Sequence, residues 1–125
     1  MWLYNFPWKK KHDHKYSRGK VIVIGSQKNM TGSTILSSES ALRVGTGSVK
    51  IVCNKITLPI YSSKFSSILK EEINSFVAFK KFIKNEKKSV FLIGPGAGSN
   101  NLTKKKVVLI LKNIKHVVLD ADALT

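Results

Sequence analysis

Asp120 and Asp122 are two of only seven acidic residues in a chain of 125, and they stand two apart directly after the apolar run Val117-Val118-Leu119. Carboxylates at the carboxyl end of a strand can hold a hydroxyl, a magnesium ion or a lysine, and strand alternation would aim both toward one side. The plainer alternative is that one of them caps a helix. A second place with chemical potential is Gly94-Pro95-Gly96-Ala97-Gly98-Ser99, which follows Val90-Phe91-Leu92-Ile93. Three glycines at alternate positions leave few side chains over the backbone. A pyrophosphate or ribose can then approach the main chain, and the next helix's N-terminus would stabilise an anion; the alternative is a tight connection only. The third place is Gly25-Ser26-Gln27-Lys28-Asn29-Met30-Thr31-Gly32-Ser33, where Gly25 permits a tight turn. It lacks both the G-x-G-x-x-G dinucleotide fingerprint and the G-K-[ST] ending of a P-loop.

Other residues offer less. His12-Asp13-His14 has metal-binding residue types, but no further Cys or His stands at ligand spacing, so it reads as a solvated loop. Cys53 reads as a small buried hydrophobe. There is no G-x-S-x-G, and His116 precedes its strand rather than following it, so no nucleophile-plus-base constellation is visible.

These turns need a scaffold. Lys20 to Gly25 is a β-branched run ended by glycine, read as a buried first strand. Gly32 to Val44 reads as a helix with Ile35, Leu36 and Leu42 on its apolar side, Ser33, Ser37 and Ala41 spaced for close packing, and Gly45 as a left-handed C-cap. Ser48 to Cys53 is a second strand. Asn54 to Ser67, with Pro59, reads as an irregular connection. The next helix carries Ile73, Phe76, Val77 and Ile83 on one side, with Glu71 and Glu72 toward its start and Lys80, Lys81 and Lys84 toward its end, matching the macrodipole. Val90 to Ile93 is a third strand, Leu102 to Ile114 a helix, and Val117 to Leu119 a fourth strand. Strands alternating with helices predict an α/β fold, a parallel sheet with helices on both faces, and such sheets bind ligands beyond the carboxyl ends of their strands.

Composition agrees with one folded domain. The chain is 42% hydrophobic and carries a formal charge of +15, which is too much apolar content for a disordered polycation. Its longest apolar runs fall far short of the roughly 18 residues that a membrane-spanning helix needs. A single cysteine excludes an intrachain disulfide framework and suits a reducing compartment, so the cytoplasm is the expected location. Residues 1–11 read as an aromatic and basic strap, Trp2 to Trp8 followed by Lys9, Lys10 and Lys11, packed on the domain or on a partner. Its lysines follow the aromatics, unlike those of a secretory signal, and Pro7 opposes an amphipathic membrane anchor. All the basic residues except Arg18 and Arg43 are lysine. Specific readers of bases and phosphates favour the arginine fork, so the excess reads as a solvated face. A lysine-rich module for nucleic acid or an acidic partner is the alternative.

Taken in order, His14-Lys15, Gly19, Val21 to Gly25, Gly32, Ala41-Leu42-Arg43, Gly45-x-Gly47, Gly94-Pro95-Gly96-x-Gly98 and Leu119-Asp120-Ala121-Asp122-Ala123-Leu124 resemble one family. The chain resembles the N-terminal half of the ADP- or ATP-dependent NAD(P)H-hydrate dehydratase domain, a ribokinase-like (Rossmann-like) fold, over about residues 11–125. The resemblance implies nicotinamide cofactor repair: a nucleotide phosphorylates the hydroxyl of NADHX or NADPHX, and phosphate leaves to restore the reduced cofactor. It implies ADP or ATP as phosphoryl donor, with Mg2+. It also implies that Ser33, Gly96, Gly98, Asp120 and Asp122 lie near the hydrate. Ser26, Tyr16, Ala97 and Ser66-Ser67 depart from the family's usual residues. On this reading, residues 12–125 are a half-domain truncated after the fourth strand. The catalytic aspartate and most of the nucleotide site are then expected in a further C-terminal stretch. The chain is accordingly expected to be inactive alone, one piece of a split enzyme completed by a complementary C-terminal polypeptide, or a non-functional remnant.

Overall fold

The computed structural model describes residues 2–125; Met1, first residue of the expected strap, and the Trp2 side chain lie outside the described residues. Among the described residues there are five strands and four α-helices: β1 (Lys20–Ile24), α1 (Thr31–Arg43), β2 (Ser48–Cys53), α2 (Leu58–Lys64), β3 (Leu69–Glu72), α3 (Phe76–Asn85), β4 (Val90–Ile93), α4 (Asn101–Asn113) and β5 (His116–Leu119). The sheet is parallel, in the order β3-β2-β1-β4-β5. No helix among the described residues is long and apolar enough to cross a membrane.

Alternation along β1 divides the core. Ile22 and Ile24 pack with Phe79, Phe82 and Ile83 of α3 and Val107 and Ile110 of α4. Val21 and Val23 pack on the opposite face with Ile35 and Leu42 of α1 and Tyr61 of α2. A strand covered on both faces must be apolar at every position, which is why β1 reads as a continuous Val/Ile run. Gly45 ends α1 as expected: its φ is +98°, its N–H bonds the Leu42 carbonyl, and the Thr46 N–H bonds that of Ala41.

Three expectations are corrected. The sheet has five strands rather than four, because Leu69-Lys70-Glu71-Glu72 forms an edge strand paired with Lys50 to Cys53. Glu71 and Glu72 therefore lie outside α3, whose start is instead capped by Ser75, accepting from the Ala78 N–H at 3.1 Å. An edge strand facing solvent tolerates charge, so its sequence carries no apolar alternation. The segment read as an irregular connection contains α2, with Pro59 in the first turn, where a missing N–H costs nothing. The apolar sides assigned to two helices are partly wrong: Leu36 is 66% exposed and Val77 78%. In α1 the buried positions are Thr34 and Ser38. Thr34 faces inward because its Oγ1 accepts the Ser26 N–H and donates to the Ser26 Oγ, both at 2.9 Å.

Ser38 is fully buried and its hydroxyl has no hydrogen-bond partner among the described residues. A buried unpaired hydroxyl costs roughly 1–3 kcal/mol. Ser38→Ala should raise the unfolding free energy by about 1 kcal/mol, seen as a higher urea midpoint at unchanged slope.

Candidate active site

The strand order reverses at β1: the chain builds outward through β2 and β3, then returns to place β4 on the other side. Loops that diverge from such a point leave a crevice beyond the strand ends, the usual ligand position in an open parallel sheet. Here it lies between the turns following β1 and β4.

These two turns are joined. The Gln27 N–H donates to the Gly96 carbonyl at 2.8 Å. Gly96 has φ +67°, and a Cβ there would lie 2.7 Å from the Ser33 Oγ and 2.8 Å from the Cβ atoms of both Ser26 and Met30. Glycine is therefore required twice, by conformation and by close approach. Ser33, in the first turn of α1, directs its hydroxyl toward the carbonyls of Met30 at 2.8 Å and Pro95 at 3.1 Å. Gly98 has φ +83°, and a Cβ there would meet the Gln27 amide. Its N–H donates to Asp122 Oδ2 at 2.8 Å, so the turn after β5 is tied to the turn after β4. Asn100 caps α4 by accepting from the Thr103 N–H at 2.9 Å, and the Thr103 hydroxyl donates to the Ala97 carbonyl.

Ser33, Gly96, Gly98 and Asp122 are thus brought together. Asp120 contributes main chain: its N–H bonds the Ile93 carbonyl, and its carbonyl accepts from the Ala123 N–H. Strand alternation does not extend to the aspartate pair, since β5 ends at Leu119 and Ala121–Ala123 forms a 3-10 turn with Ala121 at φ +44°. Ser26, Gln27 and Met30 fall within the third turn named from the sequence but were given no individual role there, and Thr34 was not named. Their signal was position alone, in the turn after a buried strand and the helix start that follows it.

The other candidates resolve into packing. Asp13 bonds the Lys10 N–H at 2.7 Å and pairs with Arg18 at 3.2 Å. The Lys10 hydrogen bond first, and then Arg18, hold its carboxyl below the usual range against the opposing effect of burial. His14 Nδ1 accepts from the Ser17 N–H. Cys53 is buried, and its thiol is pushed up to about 11, by burial first and by the Glu72 charge next, so it is no reactive thiolate. Among the described residues no group of three or more His, Cys, Asp or Glu could hold a metal ion.

Comparison with known proteins identifies the family and the fold. The family model for NAD(P)H-hydrate dehydratase matches residues 21–125. A bifunctional NAD(P)H-hydrate repair enzyme of Dictyoglomus turgidum is 31% identical over 122 residues, covering 90% of this chain and 24% of the relative. An ADP-dependent (S)-NAD(P)H-hydrate dehydratase of Staphylococcus aureus is 27% identical over 124 residues, covering 97% of this chain and 44% of the relative. Among solved structures, a ribokinase-like superfamily protein from Enterococcus faecalis superposes with TM-score 0.78 at 20% identity, covering 94% of this chain and 42% of that one. An ADP/ATP-dependent NAD(P)H-hydrate dehydratase from Bacillus subtilis, co-crystallised with ATP and Mg2+, gives TM-score 0.72 at 21% identity, covering 95% of this chain and 43% of that one. The sheet is that of the ribokinase-like fold, and the chain spans less than half the length of each of these proteins.

Proposed function

Because the chain belongs to the NAD(P)H-hydrate dehydratase family, we propose that its β1/β4 crevice holds the hydrated nicotinamide of NADHX or NADPHX during nucleotide-dependent cofactor repair. The observation that carries this reading is the Gly96 cradle, where Ser26, Met30 and Ser33 close on a backbone that admits no side chain. The puckered hydrated ring and its ribose can lie against the outer side of this backbone, away from those three contacts, and Ser33 offers a hydroxyl at its edge. Asp122 holds the Gly98 N–H, keeping the β4 turn open and in register with β5.

In this chemistry the terminal phosphoryl group of ADP or ATP passes to the hydrate's hydroxyl oxygen as its bond to the nucleotide breaks. The carbon–oxygen bond then breaks, phosphate departs with that oxygen, and a proton is lost as the ring double bond returns. The residues of this chain bind and orient the hydrate. The catalytic aspartate and the nucleotide site are proposed to lie outside residues 1–125, and the cytoplasm is the proposed compartment. Asp122 is committed to Gly98 and the described residues offer no metal cluster, so no role for Mg2+ is assigned to them.

The test uses the purified chain. NADPHX should bind and shift the amide resonances of Gln27, Gly96 and Gly98. Gly96→Val should weaken that binding by at least about tenfold, about 1.4 kcal/mol. Neither ADP nor ATP should support turnover by the chain alone. Absence of dinucleotide-dependent shifts would overturn the substrate role, and turnover by the chain alone would overturn the need for a complement.

One observation favours a second reading as a binding module. Lys80, Lys104, Lys105 and Lys112 surround an open groove of about 630 Å³ between α3 and α4, floored by Phe76, Val108 and Leu109. Nucleic acid or an acidic partner seated there would release counterions, so affinity should fall about a thousandfold between roughly 50 and 200 mM salt for some six phosphate contacts. No polyanion binding at low salt removes this reading, and a cooperative thermal transition removes the third, a non-functional remnant.

A further inference from the structure

A second concavity, of about 140 Å³, opens at the carboxyl ends of β1 and β2 on the side covered by α3 and α4. Lys106 of α4 reaches into it from a half-buried position. The Lys106 ammonium makes no ion pair and no hydrogen bond among the described residues; the face of the Phe79 ring, 5.4 Å from Nζ, is the neighbour it does have. Elsewhere the half-buried lysines find partners. Lys50 pairs with Glu71 and Glu86, and Lys70 donates to the Phe65 carbonyl. A partly desolvated charge without a counter-charge is costly, and such groups are normally paired.

Around Lys106 the Asn74 amide is spent on Glu72 and the Lys55 N–H, and the Thr57 hydroxyl on Asn54, while Asn54 and the start of α3 offer donors. Asn54 Oδ1 is occupied, accepting from the N–H groups of Ile56 and Thr57 and from the Thr57 hydroxyl, which leaves its Nδ2 as a donor toward the concavity. Ser75 caps α3 at the rim, and the N–H groups of Phe76 and Val77, in that helix's first turn, have no intrahelical acceptor. No aspartate or glutamate lines the space. Burial alone already pushes the Lys106 ammonium below its usual range, the direction that an added anion would reverse.

We propose that this concavity is an anion subsite that takes a phosphate group, with Lys106 supplying the charge and Asn54 and the start of α3 the neutral donors. Its volume suits one phosphate and not a nucleoside. The inference does not require the dehydratase reading: Ser26 borders both spaces, but Lys106, Asn54 and the start of α3 line this one and not the Gly96 cradle, and its occupant is either free phosphate or a phosphate carried by a dinucleotide.

Inorganic phosphate, titrated at constant ionic strength into the 15N-labelled chain, should move the amide resonances of Gly25, Asn54, Phe76 and Val77 with saturation. Lys106→Met keeps an apolar stem on Phe79 and should weaken this binding by about tenfold, as expected for loss of a charge-assisted hydrogen bond. Lys106→Arg should retain it, and Lys115→Met, an exposed lysine outside both the concavity and the lysine-ringed groove, should leave it unchanged. NADP+ that displaces phosphate from these amides identifies a dinucleotide phosphate as the occupant, and NADP+ that does not identifies free phosphate; either outcome supports the subsite. No saturable shift in the native chain, or equal binding by Lys106→Met, would overturn it. Failure at these amides is distinguishable from failure of the dehydratase reading, which is read at Gln27, Gly96 and Gly98.

Discussion

Gly94→Ala should cost the protein on the order of 3–5 kcal/mol, much of the 5–15 kcal/mol that holds a typical domain together. Gly94 closes β4 with φ +133°, a conformation that only glycine adopts readily. A Cβ there would overlap the Asp120 carbonyl oxygen and sit 2.9 Å from the Ala123 Cβ. Neither neighbour can yield cheaply. The Asp120 N–H bonds the Ile93 carbonyl, so moving its peptide away breaks the end of the β4–β5 ladder. The same movement pulls on Asp122 and hence on Gly98 in the candidate site. A thermal melt followed by circular dichroism should therefore fall by about 15 °C or more. Gly19→Ala is the control. Gly19 also has positive φ, at +78°, but nothing lies within 4 Å of its Cβ position, so only the conformational cost of about 1 kcal/mol applies. Equal losses in the two variants would show that backbone conformation, not the Asp120 contact, makes Gly94 obligatory.

The second large effect is expected at the opposite end of the sheet. Glu86 follows α3 and accepts from Lys20 of β1 at 2.7 Å and from the Ser89 hydroxyl at 2.9 Å; Lys50 of β2 lies 3.6 Å away. Its side chain is 14% exposed, and that of Lys50 15%. Lys50 also pairs with Glu71 on β3, so Glu86 neutralises lysine charge on β1 and β2 within a network that reaches β3. Removing one member of a buried pair leaves the other uncompensated, which typically costs about 3–5 kcal/mol. Lys20 is half-exposed and Lys50 keeps Glu71, so Glu86→Gln should lose about 3 kcal/mol, at the lower end.

The pH dependence follows from the same contacts. Burial works to raise the Glu86 pKa, but hydrogen bonds from Lys20 and Ser89 and the charges of Lys20 and Lys50 outweigh it, so the folded value lies below the ordinary 4.5. A depressed folded pKa means a contribution fully present above 4.5 and lost as pH falls through the lower folded value. Urea unfolding of native and Glu86→Gln chains should therefore differ most near neutral pH and converge in acid below that value. A gap of constant size across that range would show that the carboxylate charge is not the source of the effect.

Much of this architecture was legible in the residues. β2 and β4 have the bounds expected from the sequence, Ser48–Cys53 and Val90–Ile93, and glycines mark the turns after β1 and β4. β3 was not legible, because Leu69-Lys70-Glu71-Glu72 is an edge strand whose stabilisation is the ladder to β2 and the Lys50–Glu71 pair, neither of them local in sequence. The helical spacing of Ile73, Phe76 and Val77 invited extension of α3 backward through those glutamates. Leu36 and Val77 misled for a related reason: periodicity identifies the apolar positions of a helix but does not fix how much of that stripe the rest of the chain covers.

The sequence by itself determined an α/β parallel fold, the glycine-bearing turns and the family, since these depend on apolar runs alternating with helical segments, backbone freedom and motif order along the chain. Only the tertiary structure decided that Ser33 and Gly96 face one another while Asp122, and not Asp120, reaches Gly98. It likewise decided that Lys106 alone among the lysines of its cluster turns into a space lined by donors. Each is a contact between segments brought together by strand order, and spacing along a chain carries no record of which strand lies beside which.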